Sequence, residues 1–414
     1  MSDIMNKNIK ITENNFKRRI EMKKGYSVIF ILLAFILTIG CFSGFTKTKA
    51  FADEQNTSLS AKSKTAYLMD YDTKTVIYSK NETQRLPIAS MCKIMTLLLC
   101  FESIDDGTIA FDDIVVVSDN ASGMGGSQVF LETNGEYLVG ELIKSIVVAS
   151  ANDACVAMAE KLYGSESEMV SKMNARSAEL GMENTNFVNC TGLPQPGQYS
   201  CSKDVATMFA ELLTHEDYFR FSKIWTDVVS HPKDRKTEIS NTNKLIRFYK
   251  GCDSGKTGYT SEAGHCLSAS AVRNGMRLIS VVISAPDSKT RFNDVSSMFN
   301  YGFANYVNKI VVDNRKPLNL SVKVDGGKKD CIEVVAEKPV YLFTKRNEQR
   351  SVEVNFCPIN RVCAPVNIGD KVGELKIYEN GIEIDSVAVL ANETVAEKTY
   401  FDIIRDIGEN WALI

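Results

Sequence analysis

Residues 264–285 read GHCLSASAVR-NG-MRLISVVISA and give the clearest indication of the fold in this sequence. Two strand-like segments, Gly264–Arg273 and Met276–Ala285, flank the dipeptide Asn274-Gly275. Asn-Gly is a strong signal for a two-residue hairpin, because both of its residues accept the positive φ that a type I′ turn requires. The stretch therefore predicts an antiparallel hairpin.

A second hairpin is predicted far upstream, where Ala66–Asp70 and Val76–Ser79 alternate around Asp72-Thr73-Lys74. The chain between the two hairpins carries helical patterns. These are the apolar runs Met91–Phe101, Val139–Ala149 and Asp153–Tyr163, and a capping box, Ser165 to Glu168, that opens a helix ending near Gly181. Strands at both ends with helices between them predict an α+β domain over residues 65–307, whose sheet pairs its first and last strands.

The pattern changes after about residue 308. Short alternating segments with turn residues between them, among them Val311–Val324 and Ile382–Leu390, predict a small all-β domain over residues 308–394. Residues 395–414 place aromatic and aliphatic side chains at helical spacing, which predicts an amphipathic helix. Its charged residues make it too polar to span a bilayer, so we expect it to lie on a membrane surface. The alternative is a helix whose apolar stripe packs on the β-domain.

The first 52 residues have the layout of a secretory signal peptide. Lys17-Arg18-Arg19 and Lys23-Lys24 precede the apolar run Val28–Phe45, and Ala50-Phe51-Ala52 matches a cleavage site. The alternative is an uncleaved membrane anchor, since about 18 apolar residues can just span a bilayer. Either reading places the body of the protein outside the cytoplasm, with residues 53–64 as a linker.

Composition narrows the possible functions. The chain has 414 residues, 44% hydrophobic and 24% charged, which is typical of a globular protein. The net charge of −3 combines +6 in residues 1–52 with −9 in the remainder, and an acidic body argues against a nucleic-acid partner. The three histidines lack zinc-site spacing, so no metal is expected. Several cysteines lie inside apolar helix patterns, and we expect mostly free thiols.

The catalytic candidate is Ser90-Met91-Cys92-Lys93, an S-x-x-K motif followed by an apolar helical run. Serine and lysine three residues apart share one face of a helix. A buried lysine loses part of its basicity and can take the proton of a serine hydroxyl, while the helix N-terminus offers N–H groups to an oxyanion. The alternative is an ordinary N-cap serine beside a surface lysine.

Two other S-x-x-K matches occur in less suitable surroundings. Ser200 opens a helix after a Pro/Gly loop, where serine is an ordinary N-cap, and Ser230 precedes a charged run that contains Pro232. The context therefore favours Ser90.

Two further motifs could complete a catalytic cleft. Ser150-Ala151-Asn152 falls between two apolar helical segments and could bring a hydroxyl and an amide into a cleft, or form a simple helix-cap turn. Lys256-Thr257-Gly258 begins a predicted strand and offers a cation, a hydroxyl and close backbone approach, although a surface turn would explain it as well. The similar triplet at Ser118 is read as a strand end and turn.

The order S-x-x-K, S-x-N, K-T-G resembles the penicillin-binding serine acyl transferases. From about residue 57 to 305, the amino-acid sequence is similar to that of the D-alanyl-D-alanine carboxypeptidases. These are low-molecular-mass penicillin-binding proteins. The matching stretches are Leu86–Ser90, Ser150–Ala154, Thr191–Leu193, Asn241–Leu245, Lys256–Thr260 and Ser261–Gly264. The following β-region and terminal helix look like that family's accessory parts.

The resemblance implies a penicillin-binding/β-lactamase-like transpeptidase fold, with helices on an antiparallel sheet. It implies a peptidoglycan stem pentapeptide as substrate, β-lactams as covalent inhibitors, and no cofactor. By the same resemblance Ser90 is the nucleophile, Lys93 the base and Ser150 a proton relay. Substrate contacts then fall to the residues of the other two motifs and, by a looser match, to one arginine. They are Asn152, Lys256, Thr257, Gly258, Tyr259 and Arg291.

Two other functions are consistent with part of this sequence pattern. A class A β-lactamase shares the three signatures, but this chain has no E-x-x-L-N pattern for a deacylating glutamate, and an accessory β-domain does not suit that class. A non-catalytic wall-binding module would not need Ser90, Lys93 and Lys256 intact. Labelling by a fluorescent penicillin would distinguish the second alternative.

Overall fold

The structure is a computed structural model that describes residues 59–60 and 62–411. The predicted signal peptide, residues 1–52, and most of the predicted linker lie outside the described residues. The described strands of the first domain are β1 (Thr65–Asp70), β2 (Val76–Lys80), β3 (Ile114–Val116), β4 (Glu136–Leu138), β5 (Thr226–Ser230), β6 (Lys236–Ser240), β7 (Cys252–Thr260), β8 (Gly264–Arg273) and β9 (Met276–Ala285).

The helices of this domain lie mainly between the two predicted hairpins. They are α1 (Lys93–Asp105), α2 (Asp119–Ser122), α3 (Val139–Ala149), α4 (Asn152–Tyr163), α5 (Glu166–Glu179), α6 (Ser202–Leu212), α7 (Tyr218–Ser222), α8 (Leu245–Phe248) and α9 (Ser288–Asn305).

A five-stranded antiparallel sheet in the order β2-β1-β9-β8-β7 organises this domain. The predicted hairpin is present: Arg273 pairs with Met276, and Asn274 and Gly275 have φ of 52° and 79°. Strand β1 pairs with β9 along its whole length, from Thr65 opposite Ile283 to Asp70 opposite Leu278. The α+β prediction, with first and last strands paired in one sheet, is confirmed.

Both faces of the sheet are covered. Tyr67, Met69 and Ile279 belong to a core that includes α1, α3, α4 and α6. Leu68, Leu278 and Val282 point to the other face, where α9 closes a second core with Phe299 and neighbouring residues. Alternate residues of a strand point to opposite faces, which is why the middle of β9 is apolar at every position except Ser280.

Helix α1 runs through the first core. A 3-10 turn, Ala89–Cys92, leads directly into it, and its residues from Lys93 to Phe101 are all buried. An all-round apolar helix must be enclosed by other elements, so the motif at its start is carried into the interior of the domain.

Two local predictions differ in detail. Ser118 caps the short helix α2, its side chain accepting a hydrogen bond from Ala121 N–H, so the triplet there is a helix start and not only a turn. Cys201, not Ser200, is the N-cap of α6. The reason is that Ser200 is held one position earlier by a backbone bridge to Leu86.

The second domain is all-β, as predicted. Its strands are β10 (Tyr306–Val312), β11 (Leu318–Lys323), β12 (Cys331–Ala336), β13 (Val340–Lys345), β14 (Glu353–Pro358), β15 (Lys371–Glu379) and β16 (Ile382–Ala391). Strands β11-β12-β16-β15-β14 form one sheet, and β10 pairs with β13. The single segment predicted over residues 311–324 is wrong, because the turn at residues 313–317 divides it between β10 and β11.

The last helix, α10 (Tyr400–Trp411), begins five residues after the start of the predicted segment, whose residues 412–414 lie outside the described residues. Its apolar side chains face away from the protein: Tyr400 is 73% exposed and Phe401 80%. Its acidic side chains face inward, with Asp402 near Lys328 at 3.6 Å and Asp406 near Lys398 at 2.9 Å. The alternative in which the apolar stripe packs on the β-domain is therefore wrong.

No helix within residues 62–411 combines the length and the apolar character that a membrane crossing requires. The ten cysteines in the described part of the chain are all free thiols, and seven of them are buried, including Cys92, Cys100 and Cys155 as expected.

Candidate active site

The backbone around Ser90 is held by close approach of two other segments. Ala89 has a φ of 48°, an uncommon conformation for a residue with a side chain. A Cβ on Gly192 would lie 2.1 Å from the Ala89 carbonyl oxygen, and one on Gly258 would lie 2.5 Å from that of Ile88. Only glycine allows these approaches, so both glycines help to set the position of the Ser90 turn.

The ammonium nitrogen of Lys93 has three polar neighbours. It lies 3.1 Å from Ser90 Oγ, 2.6 Å from Asn152 Oδ1 and 2.5 Å from the Thr191 carbonyl oxygen. The amide and carbonyl oxygens can only accept, whereas the serine hydroxyl can donate. A neutral amine therefore fits this set completely, with two N–H groups donated to the oxygens and the lone pair directed at the Ser90 hydroxyl.

The surroundings of Lys93 favour that neutral form. The side chain is fully buried, and burial lowers the pKa of its amine from the usual 10.5. Removal from water destabilises the charged state. The structure thus places a buried amine within hydrogen-bond distance of the Ser90 hydroxyl.

Ser150 is a buried serine at the junction of α3 and α4. It adopts a left-handed conformation, φ 63°, at the C-terminal end of α3. Its Oγ accepts a hydrogen bond of 2.7 Å from Lys256 Nζ on β7. Burial lowers the pKa of Lys256 well below its usual value, and the nearby cation of Arg291 lowers it further. The S-x-N and K-T-G motifs, 106 residues apart, are joined directly by this bond.

Asn152 links the S-x-N motif to the S-x-x-K motif. Its Oδ1 accepts from Lys93 and its Nδ2 donates to the Gly125 carbonyl oxygen at 2.7 Å. Its backbone N–H donates to Ser127 O, also at 2.7 Å. The side chain is therefore fixed on both sides and orients the Lys93 amine.

The K-T-G strand forms the opposite wall. Thr257 is buried, and Tyr259 is 61% exposed with its ring stacked on His265. Arg291 is buried on α9, and its Nη1 donates to the carbonyl oxygens of Gly258 at 3.1 Å and Cys266 at 3.4 Å. The structure thus places Arg291 against the backbone of β7 and β8, where it supports Gly258 and adds positive charge near Lys256.

Three further residues shape the site and are not among the residues predicted from the sequence. The Thr191 carbonyl is an acceptor for Lys93 that no side-chain pattern indicates. Buried Asp153 accepts hydrogen bonds from the backbone N–H groups of Val129 and Leu131, which fastens the segment after Ser127. Asn189 Oδ1 accepts from Gly192 N–H at 2.7 Å and so holds the glycine that contacts Ala89. The polar Asp153 within an apolar helix was the one available signal.

The two other S-x-x-K serines have no comparable environment. Ser200 Oγ lies 2.8 Å from Thr185 Oγ1, and Ser230 is exposed at the end of β5. Within the described ranges, no group of three or more histidine, cysteine or acidic side chains is arranged to hold a metal ion.

Comparison with known proteins gives consistent matches along the chain. Residues 49–287 match the family model described as D-alanyl-D-alanine carboxypeptidase, and residues 307–397 match the C-terminal domain of penicillin-binding protein 5. The D-alanyl-D-alanine carboxypeptidase DacF of Bacillus subtilis is 38% identical over 382 residues, which covers 92% of this chain and 97% of the relative.

Solved structures agree with these matches. Penicillin-binding protein 5 of Haemophilus influenzae superposes with a TM-score of 0.64 at 29% identity, covering 81% of this chain and 98% of that one. Penicillin-binding protein D2 of Listeria monocytogenes, solved in an ampicillin-bound form, superposes with a TM-score of 0.53 at 28% identity, covering 58% and 98%.

Proposed function

The chain belongs to the D-alanyl-D-alanine carboxypeptidase family, and we propose that Ser90 is the nucleophile of this serine-type carboxypeptidase. Enzymes of this family are penicillin-binding peptidases of cell wall peptidoglycan metabolism. The observation that carries the assignment is the 3.1 Å contact between Lys93 Nζ and Ser90 Oγ, in a set of partners that suits a neutral amine.

Substrate binding begins at the K-T-G strand. The terminal carboxylate of a stem pentapeptide ending in D-Ala-D-Ala binds Lys256 and Thr257. An incoming carboxylate stabilises the protonated form of Lys256, which offsets the lowering of its pKa by burial. Arg291 supplies a second positive charge near Lys256, and its hydrogen bond to the Gly258 carbonyl oxygen supports the strand that binds the carboxylate.

Acylation follows at the Ser90 turn. Lys93 takes the hydroxyl proton, and Ser90 Oγ forms a bond to the carbonyl carbon of the penultimate D-alanine. The backbone N–H groups of Ser90 and Tyr259 donate to the resulting oxyanion. Asn152 keeps the Lys93 amine aligned, and its amide also serves as a contact for the substrate amide.

Ser150 assists the departure of the leaving group by donating a proton to it. Its hydroxyl, held by Lys256, donates a proton to the amine of the terminal D-alanine as the C–N bond breaks. The proton that Lys93 took from Ser90 replaces it on the Ser150 oxygen, so Lys93 is neutral again. D-Alanine leaves, and water then hydrolyses the ester on Ser90. β-Lactams acylate the same serine. No step requires a metal or cofactor.

The absence of an E-x-x-L-N glutamate and the presence of the second domain support a carboxypeptidase over a class A β-lactamase.

The test uses Ser90→Ala with two readouts, covalent labelling by a fluorescent penicillin and D-alanine release from a muramyl pentapeptide. Both should be abolished, because the acyl-enzyme can no longer form. Ser230→Ala is the matched control, since Ser230 is an exposed serine in the same motif, and this variant should keep both activities. Normal labelling of Ser90→Ala would refute the assignment.

The proposed function also assigns a role in export and membrane attachment to the ends of the chain. Residues 1–52 act as the export signal and residues 53–64 as a linker to a catalytic domain over 65–307. Residues 308–394 are the accessory domain, and residues 395–414 attach the enzyme to the outer face of the cell membrane. The outward apolar side chains of α10 support this attachment, because their burial in lipid would remove them from water.

A further inference from the structure

A groove of about 390 Å³ opens beside the Ser90 turn. Ala89, Gly192 and Leu193 line one part of it, and Thr260 and Glu262 line another. Thr260 ends β7, and Glu262 lies in the short turn that leads to β8 at Gly264. The groove therefore begins at the residue before Ser90 and continues past the end of the K-T-G strand.

The direction of the bound substrate follows from the proposed function, on which this inference rests. Lys256 takes the terminal carboxylate, and the N–H of Tyr259, nearer the C-terminal end of β7, contacts the reacting carbonyl. The rest of the acyl donor then continues in the same direction, past Thr260. The groove is thus where the side chain of the donor residue preceding D-Ala-D-Ala arrives.

The wall of the groove is held in place by hydrogen bonds. Gln198 Oε1 accepts from the N–H groups of Val188 and Asn189, both at 3.0 Å. Asn189 Nδ2 donates to the Leu193 carbonyl oxygen at 3.0 Å. Because the loop is fixed before substrate arrives, its shape and charge can select among donors.

The charge of the groove is negative. Glu262 is the one ionisable side chain among its lining residues, and it is exposed. It forms no ion pair with any basic side chain in the described part of the chain. A carboxylate without a cation beside a substrate path favours a positively charged group of the ligand.

We propose that this groove binds a donor side chain that ends in a primary amine, with Glu262 as the partner of its ammonium group. The enzyme then distinguishes stem peptides whose side-chain amine is free from those whose amine has been acylated. Acylation removes the positive charge and adds volume at the same point.

The experiment compares two synthetic donors of the form X-D-Ala-D-Ala, in which X is lysine or Nε-acetyl-lysine. For the unmodified enzyme we expect kcat/KM to be about two- to fivefold higher with lysine, the range for a partly solvated ion pair. Glu262→Gln should bring the ratio towards one, and Glu262→Lys should reverse it. Higher salt should reduce the preference, because exposed charges are screened.

Glu136→Gln is the matched control, because Glu136 is also exposed but lies on β4, outside the groove. This variant should keep the preference for lysine. Equal kcat/KM for both donors in the unmodified enzyme, or an unchanged ratio in Glu262→Lys, would overturn the groove proposal while leaving Ser90 as nucleophile. Failure of the unmodified enzyme to release D-alanine from either donor would overturn the proposed function as well.

Discussion

At the scale of single residues, Lys93 combines full burial with three oxygen neighbours. Two of these, Asn152 Oδ1 and Thr191 O, can only accept, and they leave one direction for the lone pair of a neutral amine. Burial lowers the pKa of Lys93, so the neutral base is available at lower pH than for a lysine in water. The chemistry thus depends on the protonation of one side chain.

This dependence gives a pH prediction. The rate of Ser90 acylation by a fluorescent penicillin should rise with pH as Lys93 loses its proton, and level off below the usual lysine pKa of 10.5. Lys93→Ala should slow acylation by roughly 10²–10⁴-fold, the usual contribution of a positioned base. Stopped-flow labelling across pH measures both.

Lys93→Arg supplies the control for charge. Arginine stays protonated at every accessible pH and cannot accept the Ser90 proton, so acylation should be lost across the whole pH range. A pH profile in Lys93→Ala identical to that of the unmodified enzyme would contradict Lys93 as the base.

At the scale of elements, the orientation of α10 is the reverse of that of a helix that packs on a core: its polar face contacts the protein and its apolar face is exposed. Asp402 and Asp406 face basic residues of the protein, whereas the apolar side chains face outward. Acidic residues outnumber basic ones on this helix, so attraction to anionic lipid is weak. Apolar burial must then provide the binding energy.

Deleting residues 398–414 should release an active enzyme from the membrane fraction. In sedimentation with phosphatidylcholine vesicles, the protein from residue 53 onward should bind, and Phe401→Glu should weaken binding because a charge would enter the lipid interface. Salt should have little effect. If the protein that lacks residues 398–414 but keeps its N-terminal segment remains membrane-bound, Val28–Phe45 is an uncleaved anchor. If truncation unfolds the protein, the helix belongs to the core.

At the scale of the whole molecule, the two domains meet at a pair of carboxylates. Asn308, on β10, donates from Nδ2 to Asp70 at 2.7 Å and to Asp72 at 3.0 Å. Burial and, after it, repulsion from Asp70 raise the pKa of Asp72 to about 6, against the opposing effects of Asn308, Lys74 and Arg277. Asn308 is thus a contact between domains that depends on pH.

The sign of the effect follows from linkage. A carboxyl whose pKa is raised on folding stabilises the fold when protonated, and that contribution is lost as pH rises through about 6. Asp72→Asn should therefore raise Tm at pH 7–8 and change it little near pH 4, measured by thermal unfolding across pH. Asp112→Asn, at an exposed position in the same domain, is the control. An equal rise in Tm at both pH values would contradict this account.

Local patterns determined much of this protein. The Asn274-Gly275 turn, the bounds of α3 and the Ser165 cap, whose side chain accepts from Glu168 N–H, were all predictable from the sequence. Each depends on residues within a few positions of one another, where turn geometry, capping and helical spacing act directly on the chain. The order of the motifs indicated the family for the same reason, because each motif consists of three or four neighbouring residues that can be recognised without the fold.

Tertiary structure alone decided how those pieces meet. The Thr191 carbonyl reaches Lys93 across 98 residues, and Gly192 fits against Ala89 only because the loop that carries it is tied to Asn189. Arg291 supports the backbone of Gly258, and α10 turns its polar side to the protein. Such contacts join residues far apart in the chain, and their geometry depends on the packing of all the intervening elements, which no local pattern records.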